Sequence, residues 1–357
     1  MIKKAQYDVI IIGAGIAGLV AAVKLKQNGA RVIVLEKGRG VGGRMATRRT
    51  SMGVFDHGAQ FFTSRDEPFR SMVAEFQAQV VVKNWSTGFA FADGKLKEDG
   101  ENRFCGVHGM TEIAKHLARD VEVRCLQKVT LVARQGDGWG VTAETGDLFT
   151  GQALMLTSPV PQSLNLLAAS ELVLPDVIAE ELGQIKYAPC LALLVQLPKM
   201  SRIPPPGGLW LDGSSISWMG DNEQKGISSG SSITIHANPQ FSRNHWNASE
   251  EEITSALLAQ ASPWLGSIPL QTQLHRWLYS LPLQKYYKRC VILHLPAPLV
   301  FAGDAFGGPR VEGAALSGLA AGESLVPILA KRAGGTEIQE LSQEYANHCL
   351  SEYPSSQ

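Results

Sequence analysis

The chain has 357 residues, 45% of them hydrophobic and 18% charged, the balance of a folded globular protein and not of a disordered one. Its 33 Lys and Arg cancel its 33 Asp and Glu, which excludes the basic footprint of a nucleic-acid or anionic-membrane binder. Five cysteines (Cys105, Cys125, Cys190, Cys290 and Cys349), odd in number and never spaced as CxxC, argue against a disulfide framework or zinc site and fit a reducing cytosol.

The length fits two domains, or one large domain with an inserted lobe. No run reaches the roughly 18 uninterrupted apolar residues of a membrane span. Lys3 and Lys4 before an apolar stretch imitate a signal peptide, but a glycine turn inside that stretch explains it better.

Asp8 to Ile12 is apolar and β-branched, as a buried parallel strand would be. Gly13, Gly15 and Gly18 then spell GxGxxG, with Ala17 inside the turn. Gly13 permits the tight turn, Gly15 lets a pyrophosphate approach the backbone, and Gly18 allows close packing of helix on strand. The helix that follows points its free N–H groups at the phosphates, and Asn28-Gly29 ends it. Arg31 to Leu35 is the second strand. Glu36, followed by Lys37, stands where an acid accepts hydrogen bonds from ribose hydroxyls. Strand, turn, helix, strand and acid in register predict a bound dinucleotide, but do not distinguish NAD from FAD.

A glycine-rich loop runs on from Lys37 to Met45, where Arg44 could hold a pyrophosphate from the side opposite the first helix. Phe55 to Ser64 mixes small residues, a polar cluster and two aromatics. It reads equally as backbone passing close to a flat ring system or as a core turn. Phe69 to Phe76 reads as a helix, Trp85 to Phe91 as a strand and Thr111 to Ala118 as a helix. Val121 to Leu126, Val129 to Ala133, Trp139 to Ala143 and Leu148 to Thr157 form a strand-rich stretch, the last returning to the main sheet.

From about 160 to 290 the strands Leu191 to Leu197, Gly208 to Asp212, Ile216 to Met219 and Ser232 to Ala237 are joined by Gly, Ser and Pro turns. Ser249 to Glu252 is a capping box opening a helix through Gln260. Leu299 to Phe301 is a strand ending in Gly303-Asp304, whose acid can accept from a sugar-alcohol hydroxyl. A small-residue helix follows, from near Gly313 to about Lys331, and a terminal helix is expected over Ile338 to Leu350. The expected architecture is α/β: a Rossmann-like unit over 1–70, 100–160 and 291–357, with a mostly antiparallel α+β substrate unit over 71–99 and 161–290.

GAGIAG with Glu36, VGGR with Arg44, and the Gly303-Asp304 pair resemble the three-part FAD pattern of glutathione reductase-like flavoproteins and amine oxidases. More narrowly, GRGVGGRMATRR, FDHGAQFFTSRD, GVHGMT, HRWLYSLP and GDAFGGPRVEGAALSG resemble the renalase family, in its bacterial, cytoplasmic form. The resemblance covers about Tyr7 to Glu323. It implies a p-hydroxybenzoate-hydroxylase-like fold with non-covalent FAD. It also implies oxidation of misreduced dihydronicotinamides, the 2-dihydro and 6-dihydro isomers of NAD(P)H. Hydride would pass to the flavin, NAD(P)+ would leave, and dioxygen would reoxidise the flavin to give hydrogen peroxide.

Carried over motif by motif, Gly13, Gly15, Ala17, Gly18, Glu36, Lys37, Arg44, Ala59, Gln60, Gly303, Asp304, Arg310 and Val311 would lie at the flavin, and Val129 at its adenine end. Phe61, Phe62, Thr63, His108, His236 and Arg276 are candidates for the substrate face. No nucleophile–base pair and no metal cluster is evident in the sequence. Hydride loss from a dihydropyridine leaves an aromatic cation, so that reaction needs orientation and not a general base. No second Rossmann unit with its own GxGxxG is evident (Gly38 to Gly43 repeats the spacing only within the loop after Glu36), so a nicotinamide would visit as substrate. No cysteine stands between Phe301 and Ser324, where some amine oxidases attach their flavin. A flavin amine oxidase or desaturase is the alternative enzyme, and an escort protein of the same fold the non-enzymatic one. Small-molecule substrate and dioxygen are the expected partners, and monomer the expected state.

Overall fold

The computed structural model describes residues 6–213, 215–294 and 297–333. The terminal helix expected over Ile338 to Leu350, and Cys349, lie outside the described residues. In chain order the elements are β1 (Tyr7–Ile12), α1 (Ile16–Gln27), β2 (Val32–Leu35), β3 (Thr47–Thr50), β4 (Gly53–Asp56), α2 (Glu67–Ala78), β5 (Val82–Ala90) and β6 (Leu96–Gly106). Next come α3 (Thr111–Leu117), β7 (Glu122–Arg124), β8 (Val129–Gln135), β9 (Gly138–Ala143), β10 (Leu148–Leu156), α4 (Val160–Ala169) and α5 (Asp176–Gly183). Then follow β11 (Tyr187–Gln196), β12 (Gly208–Trp210), β13 (Ile216–Asp221), β14 (Ser232–Ala237), α6 (Pro239–Asn244) and α7 (Glu250–Leu265). The last are β15 (Gln271–Pro282), β16 (Val291–His294), β17 (Pro298–Phe301), α8 (Asp304–Gly307) and α9 (Val311–Ala333).

The first sheet runs β16-β17-β10-β1-β2-β7, with the β8–β9 hairpin attached through β10. The pairs β17–β10, β10–β1, β1–β2 and β2–β7 are parallel. Both faces are covered, so the strands read as continuous apolar runs. Alternation splits β1 between them. Val9 and Ile11 pack with α1 and α9, while Ile10 packs with Trp139, Leu167 and Leu182 on the other side. The helix α9 is long and apolar enough, by composition, to cross a membrane. It is instead packed on α1: Ala315, Ala321 and Leu325 are fully buried, and a Cβ at Gly318 would stand 2.1 Å from the Ala17 carbonyl.

The second sheet runs β15-β11-β14-β13-β12-β5-β6, antiparallel except where Leu209 of β12 meets Ala90 of β5. One face packs Leu191, Leu193, Val195, Ile233 and Ile235 against Ile253, Leu257, Ala261 and Leu265 of α7. Ser249 caps that helix, its Oγ accepting from Glu252 N at 3.1 Å. The other face meets the β3–β4 hairpin, where Phe55 and Met52 touch Leu194.

The sheet memberships move two expected boundaries. The boundary at 100 cuts through β6, which pairs with β5 from end to end and bridges Phe62 only at Phe104, so 100–106 belongs to the second sheet and the substrate unit. Its polar outer half (Lys97, Glu98, Asp99) is exposed and hides the strand from an apolar-run reading. The boundary at 161 comes too early: α4 and α5 bury Leu167 and Leu182 against the first sheet, so they belong with it. The sequence reading also passed over the β3–β4 hairpin.

Candidate active site

The turn after β1 carries the first part of the site. Gly13 has φ +111°, a conformation that L side chains rarely adopt, and its N–H donates to Leu35 O at 2.8 Å. A Cβ at Gly18 would lie 2.1 Å from Gly13 O, which is the close helix–strand approach the motif demands. A Cβ at Gly15 would meet nothing within 4 Å, so the N-terminus of α1 opens on free space. Ala17 has no such space: it is buried against α9, and its place is in packing.

At the end of β2, Glu36 organises the adjoining loops. Its Oε2 accepts from Ala14 N at 2.9 Å and its Oε1 from Gly38 N at 2.7 Å. Gln127 N donates to Glu36 O, which brings the start of β8, and with it Val129, alongside. Lys37 is exposed and reaches Gln162 Oε1 at 3.3 Å.

Arg44 and Asp304, 260 residues apart, form a bidentate ion pair, Nη1 to Oδ2 at 2.5 Å and Nη2 to Oδ1 at 2.7 Å. Planar fork-on-carboxylate geometry makes this the stronger kind of pair. Burial works against the Arg44 charge, but Asp304 more than offsets it and holds its pKa above the ordinary arginine value. The Gly303 N–H donates to Ser317 Oγ at 2.8 Å, and Ser317 Oγ donates to Arg289 O at 2.6 Å. Ser317, which the sequence reading missed, thus fixes the turn that presents Asp304. Val311 begins α9, buried, and Arg310 before it is exposed.

Open space at Gly15, the acid Glu36 and the Arg44–Asp304 pair suit a dinucleotide with a sugar-alcohol arm. The residues present therefore fit FAD. Glu36 would hold its ribose, the α1 N-terminus and Arg44 its pyrophosphate, and Asp304 its ribityl chain. When bound, the flavin would supply a two-electron acceptor that dioxygen can regenerate.

The segment after β4 joins this region to the second sheet. Ala59 N donates to Arg44 O at 2.8 Å. Gln60 donates from Nε2 to Asp56 O at 2.5 Å and to Gly58 O at 3.1 Å, which leaves its buried Oε1 without a partner. Asp56 is fully buried and ion-paired to Lys225 Nζ at 2.5 Å. The Asp56 Oδ1 also accepts from Thr47 Oγ1 at 2.6 Å and Met110 N at 2.9 Å. Lys225 donates further to Gln60 O, and its Nζ lies 4.8 Å from the Trp85 ring centroid.

Strand register decides which side chains face this segment. Trp218, His236, Ala192 and His275 lie opposite one another across β13, β14, β11 and β15, on the face away from α7. His236 Nε2 contacts His57 O at 3.1 Å, and Trp277 Nε1 donates to the same carbonyl at 2.9 Å. His57, His275 and Trp277 pack ring against ring at 4.3–5.2 Å. Phe61 joins Trp85, Phe89, Trp210 and Trp218 in an aromatic wall with neighbouring centroids 4.7–6.4 Å apart.

Three candidates for the substrate face are placed elsewhere. Arg276 follows His275 by one residue and so points to the α7 side, exposed, with Nη2 on Ala248 O at 3.0 Å. A single-residue step along a strand reverses the face. Phe62 is core, pairing through its backbone with Phe104 and stacking on that ring at 5.7 Å. His108 is exposed on a turn, its carbonyl accepting from Arg49 at 2.5 Å. Thr63 is buried beside Phe62. Asp56, His57, Lys225, His275 and Trp218 were not singled out. Asp56 and His57 stand inside FDHGAQ, and Lys225 sits in a polar turn with no periodic signal.

Burial lowers the histidine pKa values, His57 to about 3, His236 to about 4 and His275 to about 4, helped by His275 and Arg48 at His57, by Lys225 at His236 and by Arg48 at His275. These imidazoles are neutral at pH 7. Below pH 6.5 the unfolded chain would bind protons that the folded chain refuses. Stability is therefore lost as pH falls from 6.5 toward 4, by up to about 1.4 kcal/mol per pH unit for each histidine. Urea unfolding should show a clearly lower midpoint at pH 5 than at pH 7.5. Equal midpoints would show that the histidines titrate normally.

Comparison with known proteins agrees with this geometry. Residues 11–76 match an NAD(P)-binding Rossmann-like domain, and residues 83–325 match the flavin containing amine oxidoreductases. The second match spans more than half of the chain, and the chain belongs to that family of FAD-dependent oxidoreductases. Within it, the chain is similar to renalase of Mus musculus, 25% identical over 332 residues, covering 87% of this chain and 96% of that protein. Among solved structures, cyclohexylamine oxidase from Brevibacterium oxydans superposes with a TM-score of 0.67 at 13% identity, covering 92% of this chain and 99% of its own. Wild-type putrescine oxidase bound to putrescine superposes with a TM-score of 0.63 at 14% identity, over 90% and 99%. At such identities these two share the fold.

Proposed function

We propose that the protein oxidises the misreduced 2-dihydro and 6-dihydro isomers of NAD(P)H, giving NAD(P)+ and, with dioxygen and a proton, hydrogen peroxide. The supporting observation is the character of the inner face of the second sheet. It offers an aromatic wall and three neutral imidazoles whose pKa values near 3–4 make them poor general bases at pH 7. Lys225 is no free base either, being saturated by Asp56, the Gln60 carbonyl and the Trp85 ring. Such a face can orient a planar ring and exclude water, and removing hydride from a dihydropyridine asks for no more. The renalase resemblance, which extends over nearly all of that protein's length, points the same way.

In this reading the chain acts on a small molecule with no macromolecular partner. The test is stoichiometric: with 2-dihydro-NADP in air, one dioxygen should disappear and one hydrogen peroxide appear for each NADP+ formed. Peroxide from an amine such as putrescine, with none from either isomer, would move the assignment to amine oxidation.

A further inference from the structure

A second cleft lies beside the loop that leads from Asp304 into α9. Its volume is about 390 Å³, and its walls include Arg65, Asp66, Lys285, Arg289, Arg310 and Glu312. The acids in it are already used. Asp66 is ion-paired to Arg289 Nη2 at 2.8 Å, and Glu312 Oε1 accepts from Arg65 N at 2.6 Å and Asp66 N at 2.7 Å. The Arg65 side chain is paired outward, to Glu101. Lys285 and Arg310 have no ion-pair partner among the described residues, and the one acid left to set against them is Glu312, held by backbone N–H groups alone, so the cleft keeps a positive balance. A Cβ built at Gly308, also in its wall, would meet nothing within 4 Å.

Two cations without ion-pair partners in a concave site of positive balance attract an anion. The dihydronicotinamide reading supplies one, because a dinucleotide carries two phosphate charges on the arm that leaves the ring. The chain has no second dinucleotide-binding unit to hold that arm: its other GxGxxG string, Gly38 to Gly43, opens no helix and leads into the short turn at Arg44. The loop that lines the cleft is the one that presents Asp304, so the cleft adjoins the flavin residues. We infer that the cleft between Lys285 and Arg310 binds the pyrophosphate of the substrate's ADP-ribose half. This inference rests on the dihydronicotinamide reading.

Isothermal titration of the FAD-loaded enzyme with ADP-ribose tests it without turnover, and inorganic phosphate is the second probe. ADP-ribose should bind. Lys285→Glu should weaken it by about tenfold, the size of a lost charge-assisted contact, and Lys285→Arg should retain most of the affinity. The flavin absorbance of each variant checks that the fold and the cofactor persist. No binding by the wild-type enzyme, or an affinity untouched by Lys285→Glu, would overturn the assignment. Inorganic phosphate binding as tightly as ADP-ribose would overturn it too, by leaving a general anion site. If the isomers are not turned over while ADP-ribose still binds through Lys285, the activity reading fails and the cleft stands as an ADP-ribose site.

Discussion

Gly18→Val is expected to give a colourless, destabilised protein. The new Cβ would begin 2.1 Å from Gly13 O and 2.9 Å from Thr157 Oγ1. The first of these is backbone and cannot swing aside, so α1 must back away from β1. Overpacking of this kind costs about 1–3 kcal/mol, and the helix N-terminus leaves the position from which it would meet the pyrophosphate. Gly15→Ala separates the two effects. Its Cβ enters open space, so the fold should survive while FAD affinity falls. Flavin absorbance relative to protein absorbance, and the thermal midpoint with and without added FAD, read both. A yellow Gly18→Val protein of wild-type stability would show that the turn does not hold the cofactor.

Lys225→Met is expected to cost about 3–5 kcal/mol, because it leaves a buried carboxylate without its counter-ion. Asp56 and Lys225 have side chains 0% and 1% exposed. The pair ties β4 to the turn after β13, which means that it ties the β3–β4 hairpin to the second sheet. The double variant Lys225→Met with Asp56→Asn should recover part of the loss, since it removes both charges together. Chemical denaturation measures each term. A loss below about 1 kcal/mol in the single variant would mean that Asp56 is neutral or solvated in the folded protein.

The first βαβ unit is legible in the sequence because its physics is local. A buried parallel strand is a continuous apolar run, the turn needs glycine, and the helix ends at Asn28-Gly29. Arg44 and Asp304 could be picked out as single motif residues, but not as an ion pair. Nothing in either stretch shows that a contact spanning 260 residues closes between them. Faces were harder to read. Naming Arg276 in place of His275 is an error of one residue, yet it moves the side chain from the inner face to the α7 side. The β6 strand was hidden by its charged, exposed half. Lys225 left no trace because a buried lysine is defined by its partner, and Asp56 lies far away in the chain.

The most direct test of the account is anaerobic stopped-flow absorbance of the purified yellow protein at the oxidised-flavin band, after mixing with 2-dihydro-NADP, 6-dihydro-NAD, ordinary NADPH or a panel of amines. The account predicts rapid bleaching by the two isomers, with ordinary NADPH and the amines far slower. Bleaching by an amine alone, or no isomer faster than ordinary NADPH, would contradict it.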